Sequence, residues 1–229
     1  MATSKSLSPD AIPFLEPGDR LTRDEFERRY AAMLNLKKAE LIEGVVYIPP
    51  LPRFREHAEP QAHLMGWLGH YKVCTPCVIA GDNATVRLDE ENEPQPDGIL
   101  LLKPAYGGQA SISSDDYVEG APELVVEVSA SSASFDLHTK KAVYHRNGVR
   151  EYLVWRVSDR QIDWFIARGD AFELLVPDAL GILPSEVFPG LWLDAAALIR
   201  GDLAAVLAAL QQGIASPEHA AFLQRHANS

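Results

Sequence analysis

The chain has 229 residues, of which 47% are hydrophobic and 23% charged, and its formal net charge is −11. These values fit one large globular domain, and they exclude wholesale disorder and non-specific coating of duplex nucleic acid, which requires a basic surface. Because the chain shows neither a signal-peptide pattern nor an apolar run of roughly 20 residues, we expect a soluble, cytoplasmic protein with no membrane partner.

Composition and periodicity divide the chain into three parts. Residues 1–17 hold several Ser and Pro residues and predict a loose N-terminal arm. Residues 18–193 carry mixed helix and strand patterns, and residues 194–229 become rich in Ala and Leu, which predicts a C-terminal helical extension. No internal repeat and no clear second domain are visible.

The predicted elements of the central part follow one another closely. A helix begins after Thr22, and two short strands flank Glu43-Gly44. Further elements are a helix over 56–71, strands near 83–88, 97–102 and 124–129, a helix over 135–147, and strands over 151–157 and 161–167. The order strand, helix, strand from residue 124 to 157 suggests a βαβ crossover. The sequence therefore predicts an α/β fold whose mixed β-sheet is flanked by helices.

Two acids lie in apolar runs where a buried carboxylate is costly. Asp97 opens the run Gly98-Ile99-Leu100-Leu101, and Glu127 lies inside Leu124-Val125-Val126-Glu127-Val128. A buried carboxylate must be neutral, paired or bound to a metal. On the following helix Asp136, Lys140 and Tyr144 form one stripe at four-residue spacing.

This pattern suits metal-assisted phosphodiester hydrolysis. Two carboxylates on adjacent strands, with the carbonyl of Val128, offer the oxygen ligands that Mg²⁺ prefers. Lys140 is then placed to orient the attacking water or to stabilise the transition state. The alternative is structural: Asp136 and Lys140 form an ordinary i,i+4 ion pair, and Glu127 pairs with an arginine such as Arg146 or Arg150.

Several segments together resemble a known family. They are "RLTRDEFERRY", "AELIEGVVY", "QPDGILLL", "PELVVEVSASSASFDLHTKKAVYHRNGVREYLVW" and "FPGLWL", so the likeness covers most of the chain up to the C-terminal helices. They are similar to the Uma-two family of restriction-endonuclease-like proteins, in the PD-(D/E)XK nuclease superfamily. The resemblance implies a restriction-endonuclease-like core, a nuclease activity on DNA and a Mg²⁺ (or Mn²⁺) cofactor.

The resemblance also implies roles for individual residues. Asp97, Glu127 and Glu43 become metal ligands, with Glu43 as an accessory acid from the N-terminal hairpin. Asp97, Glu127 and Lys140 become the catalytic residues. The superfamily's Glu-x-Lys pattern would place lysine at position 129, where this chain has Ser129, so Lys140 on the helix takes its place, with Lys141 adjacent.

The remaining candidates are weaker. Cys74-Thr75-Pro76-Cys77 spells C-x-x-C, but it follows a helix, whereas a redox motif opens one. A zinc site with His70 lacks a fourth local ligand. His57 and His63 flank the start of the helix at Glu56, where one of them could approach the metal or a phosphate, but we favour a surface position for both.

Two functional hypotheses follow. The first is a Mg²⁺-dependent endonuclease acting on DNA. The second is a catalytically weak or inactive module with the same fold that binds nucleic acid or a protein partner. Cleavage of both strands is easiest for a twofold dimer, and the C-terminal helices offer an interface for a homodimer.

Overall fold

A computed structural model of the chain describes residues 12–227. The strands are β1 (Glu40–Ile42), β2 (Val45–Tyr47), β3 (Val78–Gly81), β4 (Val86–Arg87), β5 (Gly98–Leu102), β6 (Ser111–Ile112), β7 (Val118–Glu119), β8 (Leu124–Ser129), β9 (Glu151–Arg156), β10 (Gln161–Arg168), β11 (Ala171–Leu174), β12 (Ile182–Pro184) and β13 (Trp192–Asp194).

The helices are α1 (Arg23–Ala31), α2 (Glu59–Cys74), α3 (Ala133–Phe135), α4 (Lys141–Arg146), α5 (Ala195–Ile199), α6 (Leu203–Ile214) and α7 (Pro217–Ala227). A π-helical turn (Phe54–Ala58) leads into α2, and a second one (Asp136–Lys140) joins α3 to α4. We call the continuous segment over residues 133–146 the lysine helix. Within the described residues, no helix has both the length and the apolar character needed to cross a bilayer.

A six-stranded sheet forms the centre of the fold, in the order β11-β10-β9-β8-β5-β3. Strands β8 and β9 are parallel, and the other neighbours are antiparallel. The lysine helix connects β8 to β9, so the predicted βαβ unit and the mixed sheet are confirmed. Every residue of β8 is buried, as expected for a strand of a central parallel pair.

The alternation of side chains in β8 separates two cores. Leu124, Val126 and Val128 pack into a cluster that includes residues of α2 and α6. Val125 joins a second cluster with Tyr144 of the lysine helix. Glu127 shares the face of Val125, so its side chain points to the lysine helix, as the period of two predicts.

The N-terminal part forms a small lobe of its own. Its core contains Leu15, Phe26, Leu41 and Val46 from the start of the described chain, α1 and the β1–β2 hairpin. The backbone of Leu41 makes two hydrogen bonds with Glu93, at 2.8 and 3.1 Å, which ties the hairpin to the rest of the domain. The predicted arm over residues 1–17 lies largely outside the described residues, and Leu15 near its end is buried.

The C-terminal helices share the main core. The predicted helical extension contains separate helices, and α5 and α6 are divided at Gly201, whose φ of +76° suits glycine. Asp202 then caps α6 by accepting a hydrogen bond from the amide of Ala205. Val206, Leu210 and Phe222 belong to the same cluster as β8. The extension is therefore packed against the sheet and not held away from it.

Candidate active site

Asp97 lies directly before β5 and is held as an anion. Its Oδ2 accepts a hydrogen bond of 2.8 Å from the amide of Val128, and its Oδ1 lies 3.2 Å from Lys38 Nζ and 3.4 Å from His57 Nε2. Burial raises the pKa of Asp97, but the hydrogen bond from His57, the charge of Lys38 and the Val128 amide outweigh burial, and the pKa falls to about 2. The carboxylate is thus charged and fixed beside the end of β8.

Glu127 is the centre of a second, fully buried group. Its Oε1 accepts hydrogen bonds from Lys140 Nζ at 3.0 Å and from the Tyr144 hydroxyl at 2.9 Å. Both donors come from the lysine helix, which crosses over the face of β8 that carries Glu127. The stripe of Asp136, Lys140 and Tyr144 predicted from four-residue spacing therefore faces the strand, and Glu127 pairs with Lys140 and not with Arg146 or Arg150.

Lys140 is surrounded by acids. Its Nζ lies 2.9 Å from Glu40 Oε1 and 4.0 Å from Asp136 Oδ1, in addition to its bond with Glu127. Burial lowers the pKa of Lys140, but the three acids raise it well above its ordinary value. Lys140 is only 4% exposed and remains a buried cation.

The charges of the cluster do not cancel with all groups ionised. The cluster contains four buried acids, which are Asp97, Glu127, Asp136 and Glu40. The cations are Lys38, Lys140 and, when it is protonated, His57, whose pKa is raised mainly by its hydrogen bond to Asp97. Burial and the neighbouring acids outweigh Lys140 and raise the pKa of Glu127 to about 8. One surplus negative charge thus remains for a proton or an added cation to balance.

The donor set fits a hydrated Mg²⁺ ion. No group of three His, Cys, Asp or Glu side chains within residues 12–227 is arranged to hold a metal. Mg²⁺, however, commonly uses one or two carboxylates and keeps several waters. His57 contacts both Asp97 Oδ1 and, through Nδ1 at 3.3 Å, the carbonyl oxygen of Val128, so these two oxygens already share one polar partner. Asp97, Glu127 and the Val128 carbonyl offer oxygen ligands only, which suits a hard cation.

The structure brings together three of the four predicted site residues, Asp97, Glu127 and Lys140. Glu43 lies elsewhere: it occupies the exposed turn of the hairpin with a φ of +54°, and it pairs with Arg146 at 3.3 Å. Glu40, three residues earlier, occupies the place in the cluster that we expected for Glu43. The sequence contained a signal for Glu40, because it is an acid beside the apolar pair Leu41-Ile42, the same feature that identified Asp97 and Glu127.

Two cations of the cluster were not expected. His57 was placed on the surface from sequence, but it is half-buried and contacts Asp97, because the π-helical turn before α2 directs it inward. Lys38 precedes β1 and reaches Asp97 across 59 residues of sequence. Neither residue stands in a pattern that predicts such a long-range contact.

The cysteines do not form a comparable site. Cys77 is buried in the main core, where burial raises the pKa of its thiol and disfavours the reactive thiolate. His70, the neighbour considered as a zinc ligand, contacts Gln211 Oε1 of α6 through Nε2 at 3.2 Å. The geometry gives the zinc and redox alternatives no support.

The fold and the sequence can be compared with known proteins. A solved structure from Anabaena variabilis ATCC 29413, described as a "putative nuclease belonging to DUF820", superimposes with a TM-score of 0.57 at 15% identity, covering 78% of this chain and 99% of that one. At this identity the likeness supports the fold alone. No protein with a curated description is significantly similar. The Uma2 family model, described as "Putative restriction endonuclease", matches residues 23–196. The chain therefore belongs to the Uma2 (Uma-two) family, as its sequence motifs predicted.

Proposed function

We propose that the protein is a Mg²⁺- or Mn²⁺-dependent endonuclease that hydrolyses phosphodiester bonds of DNA. The observation that carries the proposal is the buried convergence of Asp97, Glu127 and Lys140 in a member of a family described as restriction endonucleases. Each residue comes from a different element. A structural ion pair needs only one acid for its lysine, and Lys140 has several acids around it.

In this proposal Asp97, Glu127 and the Val128 carbonyl hold the metal. A divalent ion held by these oxygens would supply the Lewis acidity that phosphodiester hydrolysis requires. Asp97 is suited to the task because the Val128 amide and two cations keep it ionised and immobile. Glu127 is suited because a cation near it would replace the proton that burial otherwise retains.

Lys140 supplies a positioned positive charge. Its Nζ is anchored by Glu127 and Glu40, and Glu40 is itself held by a 2.8 Å hydrogen bond from the amide of Gln95. A fixed ammonium group stabilises a transition state without needing to reorganise. The strand position of the superfamily's lysine is occupied by Ser129, which contacts Ser132 at 3.3 Å, and Ser132 donates to Asp136.

The first test is cleavage of plasmid DNA and of short single- and double-stranded DNA with Mg²⁺ or Mn²⁺. We expect the wild type to cut, and Asp97→Asn and Lys140→Ala each to lose at least about 100-fold, the size of a single electrostatic contribution to catalysis. Lys141→Ala is the matched control, because Lys141 lies over the Phe165 ring and outside the cluster, and it should keep the wild-type rate. Cutting that survives both site substitutions would come from a contaminant and would overturn the proposal.

A second candidate is a module of the same fold that binds nucleic acid or a protein without cutting. The observation in its favour is that Lys38 and Lys140 already form ion pairs with Asp97 and Glu127, the two acids that a metal would use. Calorimetric titration with Mg²⁺ separates the two candidates, since only the nuclease requires a metal that binds the wild type and fails to bind Asp97→Asn.

A homodimer remains a prediction for cleavage of both strands. We expected the C-terminal helices at the dimer interface, but the apolar side chains Val206 and Leu210 of α6 are buried within the chain. A dimer that uses the C-terminal helices must therefore use their outer, more polar surface. Light scattering at micromolar concentration, with and without DNA, measures the oligomeric state.

A further inference from the structure

A cavity of about 180 Å³ lies on the α1 side of the domain, apart from the cluster around Lys140. It is lined by Glu27, Tyr30, Ala31, Thr85, Glu93 and Tyr117. An engineered protein cavity of about 150 Å³ holds benzene, so this one has room for a small organic molecule. Two aromatic rings and two carboxyl groups determine its chemistry.

The acids around the cavity outnumber the cations. Arg87 donates hydrogen bonds to Glu27, Asp115 and Glu119, and Arg23 lies 3.3 Å from Glu90 and 3.6 Å from Glu27. These two guanidinium groups thus pair with four carboxylates, those of Glu27, Glu90, Asp115 and Glu119. Glu93 is the fifth acid, and it takes part in none of these contacts.

Glu93 has one carboxyl oxygen in the cavity without a partner. It is 2% exposed, and its Oε2 has no hydrogen-bond partner within residues 12–227. The adjacent group is the carboxylate of Glu27. The two carboxyl groups can form a hydrogen bond with each other only if one of them carries a proton. Burial and Glu27 raise the pKa of Glu93 to about 9, against the opposing charges of Arg87 and Arg23. In the absence of a ligand, Glu93 therefore carries a proton at neutral pH.

We propose that this cavity binds a small organic cation, a primary alkylammonium group, whose charge lies on Glu93 and Glu27 and whose carbon chain lies against Tyr30 and Tyr117. The surplus of carboxyl groups selects a cation and repels phosphate-bearing ligands. The two aromatic rings favour an organic cation over a bare metal ion, since ammonium groups are attracted to ring faces. The proposal does not depend on the nuclease activity.

Proton balance gives the binding a specific signature. An alkylammonium has a pKa near the value of about 10.4 for lysine, so it arrives already charged at pH 7.5. Glu93 must release its proton to the buffer to form the ion pair. We therefore expect uptake of about one proton by the buffer for each cation bound.

The experiment is calorimetric titration of the full chain with n-butylammonium chloride at pH 7.5, in phosphate and in HEPES buffer, neither of which contains a primary ammonium group. We expect saturable binding. The binding enthalpy should differ between the two buffers by the difference in their ionisation enthalpies, because one proton is released for each cation bound. Glu93→Gln keeps the shape and neutrality of the protonated acid, so it should fold, and it should weaken binding at least about tenfold, as expected for loss of a charged hydrogen-bond partner.

Two controls make the result decisive. Glu90→Gln removes the same charge from a side chain that is 79% exposed and outside the cavity, and it should bind like the wild type. The neutral alcohol 1-butanol has the shape of n-butylammonium and should bind at least about tenfold more weakly. Equal weakening in both variants, equal binding of the alcohol, or an enthalpy independent of buffer would overturn the proposal.

The same titration with 1,4-diaminobutane and with Nα-acetyl-lysine methylamide distinguishes the source of the ammonium group. A free diamine and the side chain of a lysine residue share the chemistry that the cavity recognises. Tighter binding of the diamine indicates a free amine, and tighter binding of the lysine derivative indicates a peptide side chain.

Discussion

Glu40 and Glu43 lie three residues apart on one hairpin, and only Glu40 reaches Lys140. The reason is local geometry. Glu40 is in β1 and points into the domain, whereas Glu43 is in the turn, with a positive φ and an exposed partner, Arg146. The motif that led to Glu43 located the hairpin correctly, but it did not determine which acid of the hairpin faces inward.

This difference predicts distinct effects of two matched substitutions. Glu40→Gln removes a charge that anchors Lys140, so we expect DNA cleavage to fall at least about tenfold, in line with the loss of a charged hydrogen bond. Glu43→Gln should change the rate by less than about twofold, because an exposed ion pair contributes little. Initial rates on a plasmid substrate measure both, and a larger loss in Glu43→Gln would restore our first assignment.

Glu93 predicts how stability changes with pH. Its pKa is about 9 in the folded protein, against 4.5 when it is free, so its protonated form favours folding at low pH, and that contribution is lost as pH rises from about 4.5 through 9. Glu93→Gln cannot ionise and keeps its contribution. We expect the difference in Tm, variant minus wild type, to be at least about 2 °C larger at pH 9 than at pH 5.

Calorimetric melting at pH 5, 7 and 9 measures this difference. Glu90→Gln serves as the control, because an exposed acid should give a Tm difference that hardly varies with pH. A constant difference for Glu93→Gln would show that Glu93 is ionised in the folded protein.

At the level of elements, the lysine helix was largely predictable. Its position between two buried strands, its inward stripe and its end at Gly148, whose φ is +91°, all follow from local sequence. The π-helical turn over Asp136–Lys140 does not, because it depends on how the helix packs against β8. The two lysines of this helix also differ only through packing: Lys140 points to Glu127, and Lys141 lies over Phe165.

Replacing each lysine should therefore have a different energetic cost. Lys140→Met leaves Glu127, Glu40 and Asp136 without their shared cation, and breaking such a buried pair costs about 3–5 kcal/mol. Lys141→Met removes a partly exposed cation–π contact and should cost less than about 1 kcal/mol. Urea unfolding at pH 8 measures both free energies. The loss for Lys140→Met should shrink at pH 5, where the acids can take up protons.

The docking of α6 can be tested with two glycines. A Cβ at Gly213 would clash with the carbonyl oxygen of Gly190 and lie 2.7 Å from Trp192 Cγ, so Gly213→Ala should destabilise the fold by about 1–3 kcal/mol. A Cβ at Gly69 in α2 meets nothing within 4 Å, and Gly69→Ala should stabilise by about 0.5–1 kcal/mol. Urea midpoints measure both. A neutral Gly213→Ala would mean that α6 is loosely attached.

For the whole molecule, sequence predicted the mixed α/β fold, because the buried strands and the crossover helix carry strong local patterns. It could not predict contacts between distant segments. Glu40 and Lys140 are separated by 100 residues, and Lys38 and Asp97 by 59, so no local pattern links them. The division of the chain into three parts stays a prediction. The C-terminal helices and the sheet share one core, so the core does not mark a boundary between them.

Because of the β1–β2 hairpin, the site around Lys140 combines residues from two parts of the protein that have separate cores. Lys38 and Glu40 come from the small N-terminal lobe, whereas Asp97 and Glu127 lie at the central sheet and Lys140 lies in the lysine helix packed on it. The lobe has a small core of its own, and such a unit can open at a lower free energy than the whole domain. Partial opening of the lobe would thus separate the site residues while the sheet stays intact.

Cleavage activity should then disappear reversibly at a urea concentration below the midpoint seen by circular dichroism. The amide of Leu41 should exchange with solvent faster than that of Val126. Coincident loss of activity and structure, with equal exchange, would show one cooperative unit. If the two transitions separate, the working range of this protein is limited by detachment of a hairpin and not by melting of its core.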